Sequence, residues 1–363
     1  VAVRAGAGTS EVKAADKAKI GVLVADVSGE EAQGFRSYYE NYIAGNYDVE
    51  FNYTDALQSA EDEKTAIEKF ASQGCQAIIS FSSNDRVQQI ETCEKYGVYY
   101  AVASGVLDDA QYETYKTYEY FAGQVGPGND TEFEAGKDMG AYYKEQGVSK
   151  VAIYGAFIPN PMHVYRVAGV LNGLGCTYGG ESDMNAIAGQ IFQDQTVDLS
   201  KVEGDVEVVS YLQGYGDTTT DELNAAIQKT PDAFISVGMA TTFFAQSLSE
   251  AGISFSDIDS FTETNGNSMK NGTLTYLAGK YSSSIGPVFA LVMNAINGNV
   301  IRDEDGNAPS ISQGYLVATD SDTFDKYSVS DSGDAPIYDK ETLDSIIGDN
   351  VTFEDVKTLV ESK

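Results

Sequence analysis

Short apolar runs rich in β-branched residues alternate with helix-like segments along most of this chain. The first run, KIGVLVADV at residues 19–27, is typical of a strand buried on both faces of a sheet. A helix-like segment with acidic residues in its first turn follows at 28–45, and the two patterns recur about every 25 to 30 residues. This alternation predicts right-handed βαβ units and mainly parallel sheets. Because the strands are too many for one compact sheet and the pattern restarts near residue 125, we expect two doubly wound α/β lobes.

The two ends of the chain depart from this pattern. Residues 1–17 are small and polar without an apolar period, and we expect a flexible leader there. Residues 331–363 are acidic and rich in turn-forming residues, with one or two short amphipathic helices. We expect this C-terminal stretch to form a helical and loop extension that wraps one lobe.

Acidic residues strongly outnumber basic ones, with 55 Asp and Glu against 23 Lys and Arg among 363 residues. A formal net charge of −32 repels phosphate backbones at long range, so nucleic acid is excluded as a partner. The sequence contains no run of about 18 apolar residues that could span a membrane.

The sequence offers few ligands for a metal. One histidine and three scattered cysteines without CxxC spacing do not form a metal site, and we expect no cofactor. Cys75 and Cys176 are typical of small buried hydrophobic residues, while Cys93 lies on a predicted helix. A Cys75–Cys93 disulfide stays open as the alternative to free thiols.

Motifs of common enzymes are also missing. The first strand is followed by DVSGEEAQGF instead of the GxGxxG of dinucleotide sites, and neither GxxxxGK[ST] nor GxSxG occurs. His163, the single histidine, has no evident Ser or Cys partner at a strand end, so it is either a secondary ligand contact or a rim residue that touches nothing. We therefore expect no catalytic residues and a protein that is not an enzyme.

Polar and aromatic side chains instead collect in the loops that follow predicted strands. In open α/β sheets such loops bind ligands, and amides, hydroxyls, charges and aromatic faces together suit a polyhydroxylated molecule. The candidate ligand-binding residues are Asp26, Ser28, Asn84, Asp85, Ser104, Asn160, His163, Arg166, Gln213, Tyr215, Glu263 and Lys280. For Ser28, Asn84, Asp85 and Asn160, the alternative is that each merely caps a helix.

Five segments carry a resemblance to a known family. They are KIGVLVAD in the first strand, AIISFSSND at a strand end, GKDMGAYY and RVAGVLNGL in helices, and DAFISVGMATTFFAQSL from strand into helix. In this order they resemble the type I periplasmic binding proteins, in particular the ribose- and galactose-binding branch of ABC-transporter solute-binding proteins. The resemblance covers about residues 18–320.

The resemblance implies two Rossmann-like lobes joined by a three-stranded hinge. It assigns 18–124 with 281–310 to the N-terminal lobe and 125–280 with 311–330 to the C-terminal lobe, leaving 331–363 as the C-terminal extension. In this family a ligand binds between the lobes, and hinge closure buries it. The ligand shifts the population toward the closed state without any bond being made or broken.

The resemblance also implies roles for single residues. Arg166 matches the family's sugar-binding arginine, and we expect a ligand clamp whose removal leaves the stability of the fold almost unchanged. Asn84 or Asp85 matches the polar contact of the second loop. Lys280 lies where the last hinge often supplies a Gln, and Glu263 lies near a usual Asp.

Several positions depart from the family pattern. Gly238 and Met239 stand where Asn-Asp is usual, and Ser104–Gly105 replace the common Asp-Arg pair. Ser-Gly-Glu-Glu at 28–31 replaces the aromatic pair that often follows the first strand. These departures argue against a simple ribose- or glucose-like ligand.

The resemblance leads to a functional expectation. We expect an extracellular or periplasmic monomer that delivers a sugar or related polar small molecule to ABC permease subunits. Similarity to Gram-positive lipoproteins implies a lipid anchor outside this chain, on the extracellular face of the membrane. A nucleoside or signalling-furanose binding protein and a sensor ectodomain of the same fold stay open as alternatives. A transcriptional regulator would need a basic helix-turn-helix segment that the leader does not contain. A doubly wound enzyme would convert its ligand chemically, whereas a binding protein is stabilised by the ligand without turnover.

Overall fold

A computed structural model describes residues 17–331 and 335–363. The chain divides into two compact units. The first unit contains the described residues up to Gly126 together with Ser282–Ile311 and Pro336–Ser362. The second unit contains Pro127–Tyr281 and Ser312–Ala335. Nearly all of the leader expected at 1–17 lies outside the described residues.

The secondary structure follows the predicted alternation of strands and helices. The strands are β1 (Ala18–Leu23), β2 (Val49–Tyr53), β3 (Ala77–Ser80), β4 (Tyr99–Ala103), β5 (Phe121–Gly126), β6 (Lys150–Tyr154), β7 (Thr177–Tyr178), β8 (Val202–Glu203), β9 (Glu207–Leu212), β10 (Ala233–Ser236), β11 (Phe255–Ser260), β12 (Leu274–Lys280), β13 (Ser310–Ser312) and β14 (Leu316–Ala318). The α-helices are α1 (Glu30–Ser37), α2 (Ala44–Asn46), α3 (Ala60–Ser72), α4 (Arg86–Tyr96), α5 (Asp109–Tyr115), α6 (Asn129–Glu145), α7 (Pro161–Gly173), α8 (Met184–Asp194), α9 (Thr219–Gln228), α10 (Ala240–Phe243), α11 (Ala245–Ala251), α12 (Glu263–Lys270), α13 (Gly286–Ile296), α14 (Ser321–Asp331), α15 (Lys340–Asp344) and α16 (Phe353–Glu361). A π-helical segment, Tyr38–Ile43, joins α1 to α2.

Each unit is built on one six-stranded sheet, and the two sheets share a topology. The strand order is β13-β5-β4-β3-β1-β2 in the first unit and β14-β12-β11-β10-β6-β9 in the second. In both sheets, the strand that comes first in the sequence lies between the second and third strands of that sheet (β2 and β3, and β9 and β10). The pairs formed by β1 to β5 are parallel, as are those of β6 with β9 and β10 and those of β11 with β10 and β12, while β14 runs antiparallel to β12. The strand order therefore reverses between β1 and β3 and between β6 and β10, and such switch points are where α/β sheets bind ligands.

The core of the first unit forms because its central strands are apolar on both faces. Residues 77–80 of β3 are buried throughout, and residues 286–295 of α13 are buried as well. Cys75 and Cys93 are free thiols inside this core, where they pack as small hydrophobic residues. Because both thiols are free, the Cys75–Cys93 disulfide that the sequence left open is not formed. Cys176 is also free and buried.

Small residues bring α6 and α7 of the second unit into direct backbone contact. A Cβ added at Gly136 would lie 2.0 Å from the carbonyl oxygen of Arg166, and one added at Gly169 would lie 2.0 Å from that of Phe133. Any larger residue at these positions would push the helices apart. The close approach sets Glu132 of α6 against Arg166 of α7.

The acidic tail belongs to the first unit from Pro336 onward. The side chain of Asn294 in α13 donates to the carbonyl of Ile346 and accepts from the N–H of Gly348, both at 2.9 Å. Tyr38 donates to the carbonyl of Tyr338 at 2.7 Å. These hydrogen bonds pack 336–362 against the first unit, where α15 and α16 lie.

Two segments interrupt the simple alternation of strands and helices. β11 ends at Ser260, because the Thr262 side chain accepts from the N–H of Asn265 at 3.1 Å and begins α12. Between α7 and β9 lie α8 and the antiparallel pair of β7 and β8. Within 17–331 and 335–363, no helix is both long and apolar enough to cross a membrane.

Candidate functional site

The twelve candidate residues all lie at or just beyond the carboxyl ends of strands. In the first unit, Asp26 and Ser28 follow β1, Asn84 and Asp85 follow β3, and Ser104 follows β4. In the second unit they follow β6 (Asn160, His163, Arg166), β9 (Gln213, Tyr215) and β11 (Glu263) or end β12 (Lys280). Within each unit the carboxyl ends of parallel strands meet at one edge, so each set shares an edge of its own sheet.

A cleft of about 410 Å³ opens at this edge of the first unit, beside the switch point between β1 and β3. Its lining includes Asp26, Phe35, Phe81, Arg86 and Ser104. The rings of Phe35 and Phe81 lie 5.4 Å apart and give the cleft an aromatic wall. Acidic, basic, hydroxyl and aromatic groups therefore face one space.

Asp26 is fixed by its own loop. Its Oδ1 accepts hydrogen bonds from the backbone N–H groups of Ser28 at 2.9 Å and of Gly29 at 3.1 Å. These backbone hydrogen bonds lower the pKa of the exposed Asp26 carboxyl, so it stays ionised. Ser28 is exposed, and its part in the loop is to support Asp26 through its N–H.

Asn84 and Asp85 are held by a buried carboxylate that the sequence analysis missed. Glu63 of α3 accepts hydrogen bonds from the Ser82 hydroxyl and from the backbone N–H groups of Asn84 at 3.0 Å and Asp85 at 2.9 Å. Burial acts to raise the pKa of Glu63, but the hydrogen bonds outweigh it and the pKa is lowered. Asp85 caps α4 through the N–H of Gln88 at 2.9 Å, so the helix-cap alternative describes its contacts in this structure.

Arg86 is a second residue that we did not predict. It is the first residue of α4 and lines the cleft, and its Nη1 donates to the carbonyl of Val106 at 3.0 Å. Its buried Nε has no hydrogen-bond acceptor, and a buried donor left this way costs about 1–3 kcal/mol. The sequence did carry one signal for Arg86. The chain has 23 basic residues, so a basic residue directly beside a strand-end loop is uncommon.

Arg166, by contrast, is enclosed by partners within the second unit. Its Nε donates to Glu132 at 3.0 Å, its Nη1 to the carbonyl of Val237 at 2.9 Å and its Nη2 to the Tyr315 hydroxyl at 2.8 Å. Tyr315 in turn donates to the other oxygen of Glu132. Burial acts to lower the pKa of Arg166, but Tyr315 and Glu132 outweigh it and the pKa is raised.

This network corrects one expectation about Arg166. Only 2% of the residue is exposed, and three of its five N–H groups already donate to protein acceptors. Its removal would leave Glu132 buried without a counter-ion, so we expect the loss to destabilise the fold, in contrast to the expectation from the sequence. A role in contacting ligand stays a prediction.

The loop that follows β6 places Asn160 and His163 at the start of α7. Asn160 caps the helix by accepting from the N–H of Met162 at 3.0 Å, as its capping alternative stated. The Nδ1 of His163 accepts from the N–H of Phe157 at 3.0 Å. Burial and the nearby charge of Arg166 lower the pKa of His163 to about 4, so the imidazole is neutral at neutral pH.

The remaining candidates of the second unit differ in how freely they present their side chains. Tyr215 is 56% exposed and stacks on Phe243 with ring centres 4.1 Å apart. Gln213 donates to the carbonyl of Gln195 at 3.1 Å. Glu263 is exposed in the first turn of α12, and Lys280 is half-buried at the end of β12.

Gly238 and Met239, the positions that depart from the family pattern, lie in a loop held by buried Asp257. Its carboxylate accepts from the Ser236 hydroxyl at 3.2 Å and from the N–H of Thr241 at 2.9 Å. Burial raises the pKa of Asp257 to about 6 despite these hydrogen bonds. Met239 has a left-handed backbone and a partly exposed side chain, so the loop presents an apolar group where the family usually has polar ones.

No family model and no curated protein matches this chain. Solved structures do match along most of their length. The arabinose-transporter periplasmic binding protein from Shewanella sp. ANA-3, bound to L-arabinofuranose, matches with a TM-score of 0.59 at 16% identity, covering 85% of this chain and 94% of that one. A solute-binding protein from Actinobacillus succinogenes 130z with bound D-allose matches with a TM-score of 0.60 at 15% identity, covering 86% and 100%. One from Bacillus halodurans C-125 with bound myo-inositol matches with a TM-score of 0.56 at 17% identity, covering 86% and 98%.

The chain has the type I periplasmic binding protein fold. The predicted α/β class with two doubly wound units is thereby confirmed. In this fold, the candidate residues lie at the sheet edges where the switch points are found.

The Arg166 network yields a stability prediction. Arg166→Met removes the counter-ion of a buried carboxylate and is expected to lower the free energy of unfolding by about 3–5 kcal/mol. The double variant with Glu132→Leu removes both charges and is expected to regain most of that loss. Urea denaturation followed by circular dichroism measures both. Lys357→Met, which removes one partner of an exposed pair with Glu361, is the control and should cost about 1 kcal/mol or less. Losses of equal size in Arg166→Met and the control would contradict the account.

His163 yields a prediction about pH. Because its folded-state pKa is about 4, below the ordinary histidine pKa of about 6.5, the unfolded state binds the proton first as the pH falls. Stability is therefore expected to fall between pH 6.5 and 4, by up to about 3 kcal/mol from this group. As the single histidine, His163 gives an unambiguous imidazole NMR signal whose titration measures the pKa directly. A midpoint near 6.5 would show that the imidazole is not held as described.

Proposed function

We propose that this chain is a solute-binding protein that captures a sugar or related polar small molecule and delivers it to an ABC importer. The observation that carries the proposal is the pairing of fold and edge chemistry. At the carboxyl-end edge of each sheet, polar side chains stand beside an aromatic face. Asp26 shares a cleft with Phe35 in the first unit, and in the second the rings of His163 and Phe157 lie 6.1 Å apart. The matched proteins bind L-arabinofuranose, D-allose and myo-inositol.

The chemistry of these edges suits a polyhydroxylated ligand. Ionised Asp26 is an acceptor for sugar hydroxyls, and Arg86 is a donor in the same cleft. Hydrogen bonds that involve a charged partner are among the stronger ones in a cleft that excludes water. The exposed ring of Tyr215 offers an apolar face of the kind on which the C–H face of a sugar ring packs.

Capture in this proposal requires no catalytic step. Binding that favours a closed state over an open one shifts the population toward closure, and the ligand is released unchanged. We propose hinge closure, an ABC permease as partner, a monomeric protein and a location outside the cytoplasmic membrane, with a lipid anchor outside this chain. The permease partner and the location rest on the likeness to the matched ABC-transporter proteins. Hinge closure, the monomeric state and the lipid anchor rest on the family resemblance of the sequence.

A nucleoside is the second candidate ligand. Tyr215 is more than half exposed while its other face stacks on Phe243, so its outer face can accept a base. A sensor ectodomain would use the same binding chemistry with a different partner.

A thermal-shift screen of monosaccharides, polyols and nucleosides tests the proposal. At a concentration 100 times its dissociation constant, a ligand that binds only the folded state adds about 2.7 kcal/mol of stability. We expect at least one sugar or polyol to raise the melting temperature and to be recovered unchanged by NMR. Stabilisation by nucleosides alone would favour the second candidate, and chemical conversion of the ligand would contradict a binding-only role.

A further inference from the structure

Arg86 is an arginine whose charge no residue of the described chain neutralises. Among residues 17–331 and 335–363, no carboxylate lies within ion-pair distance of it, and its single hydrogen bond goes to the carbonyl of Val106. Its Nε is buried without an acceptor. A guanidinium carries five N–H donors, so most of its hydrogen-bonding capacity is unused.

The other enclosed arginines of this chain are satisfied by the protein. Arg166 has Glu132 as counter-ion and two further acceptors. Arg302 of the first unit donates to the carbonyls of Phe121 at 2.6 Å and of Tyr118 and Glu119 at 2.9 Å each. Arg86 is different from both, and it lines the cleft of the first unit.

The surroundings of Arg86 leave its guanidinium open to a ligand. Gly105 follows the end of β4, and a Cβ added there would lie 3.5 Å from Arg86 Nη2. Ser83 and Ser104, which are exposed, line the same cleft with hydroxyl groups. The rings of Phe35 and Phe81 form an apolar wall of the same cleft.

We propose that the ligand of this protein carries a carboxylate that pairs with Arg86, so that the preferred class is an acidic sugar such as a uronic acid. The inference rests on the proposed function, whose ligand class it narrows. A planar guanidinium matches a carboxylate with two parallel hydrogen bonds, and the pair supplies the counter-ion that the protein lacks. A charge in a cleft is costly to leave unpaired, which favours a charged over a neutral ligand.

Asp26 orients the ligand in this account. It is ionised and lines the same space, so a ligand carboxylate is repelled from its side. Asp26 is anchored by the N–H groups of Ser28 and Gly29 and accepts hydroxyls. The acidic sugar therefore places its carboxylate at Arg86 and its hydroxyls toward Asp26.

Isothermal titration calorimetry with matched ligand pairs tests the inference. The probes are D-glucuronate with D-glucose, D-galacturonate with D-galactose, and D-glucose 6-phosphate. We expect at least one uronate to bind the wild type about tenfold or more tighter than its neutral sugar. Arg86→Gln should weaken the binding of the uronate about tenfold more than that of the neutral sugar, which removes the preference. Lys95→Gln removes a charge from the exposed end of the same helix and should leave the preference intact.

Every other outcome contradicts either the carboxylate inference or the proposed function, and the probes distinguish between the two. If a neutral sugar binds as tightly as its uronate, or the phosphate binds more tightly than both, the carboxylate inference is wrong and the proposed function stands. A uronate preference that survives Arg86→Gln would show that another residue provides it. If no probe binds and the wider screen of sugars and polyols also fails, the proposed function is wrong and the inference falls with it. Circular dichroism of both variants checks that they are folded.

Discussion

Two buried carboxylates hold one strand-end loop in each unit, at the edges where the candidate residues lie. Glu63 in the first unit accepts a serine hydroxyl and backbone N–H groups from the loop after β3. Asp257 in the second accepts a serine hydroxyl and backbone N–H groups from the loop after β10. The two loops occupy equivalent positions, because the strands that precede them, β3 and β10, are the third strands of two sheets with the same order. Each carboxylate satisfies donors that burial would otherwise leave unpaired.

The need to satisfy buried polar groups also separates the two arginines. Arg166 is buried among Glu132, Tyr315 and the carbonyl of Val237, so it ties α6, α7 and the loop after β10 together. Arg86 has no such partners, although it lies at the switch point of its own sheet. A network that is complete within the protein contributes stability, whereas an incomplete one in a cleft is suited to a ligand.

The sequence was informative where structure depends on neighbours along the chain. Continuous apolar runs predicted the buried strands, and the caps at Ser59, Asp85 and Asn160 follow from residue type and position. It was uninformative where structure depends on distant packing. Glu63 precedes Asn84 by 21 residues and reads as an ordinary acidic residue in a helix, so nothing local shows that it is buried. The same holds for the pairing of Arg166 with Glu132, 34 residues away. We expected Arg166 to be a ligand clamp with little role in stability, but it is buried in a hydrogen-bonded network.

Hydrogen exchange with and without a saturating sugar, monitored by mass spectrometry, tests the central claim most directly, because it reports where the ligand acts. The account predicts slower exchange in the loops at 24–29, 81–86 and 103–107 of the first unit and at 155–163, 213–217 and 237–241 of the second. Protection confined to the opposite edge of the second sheet, around the groove lined by Tyr142, Gln146 and Ser149, would contradict it.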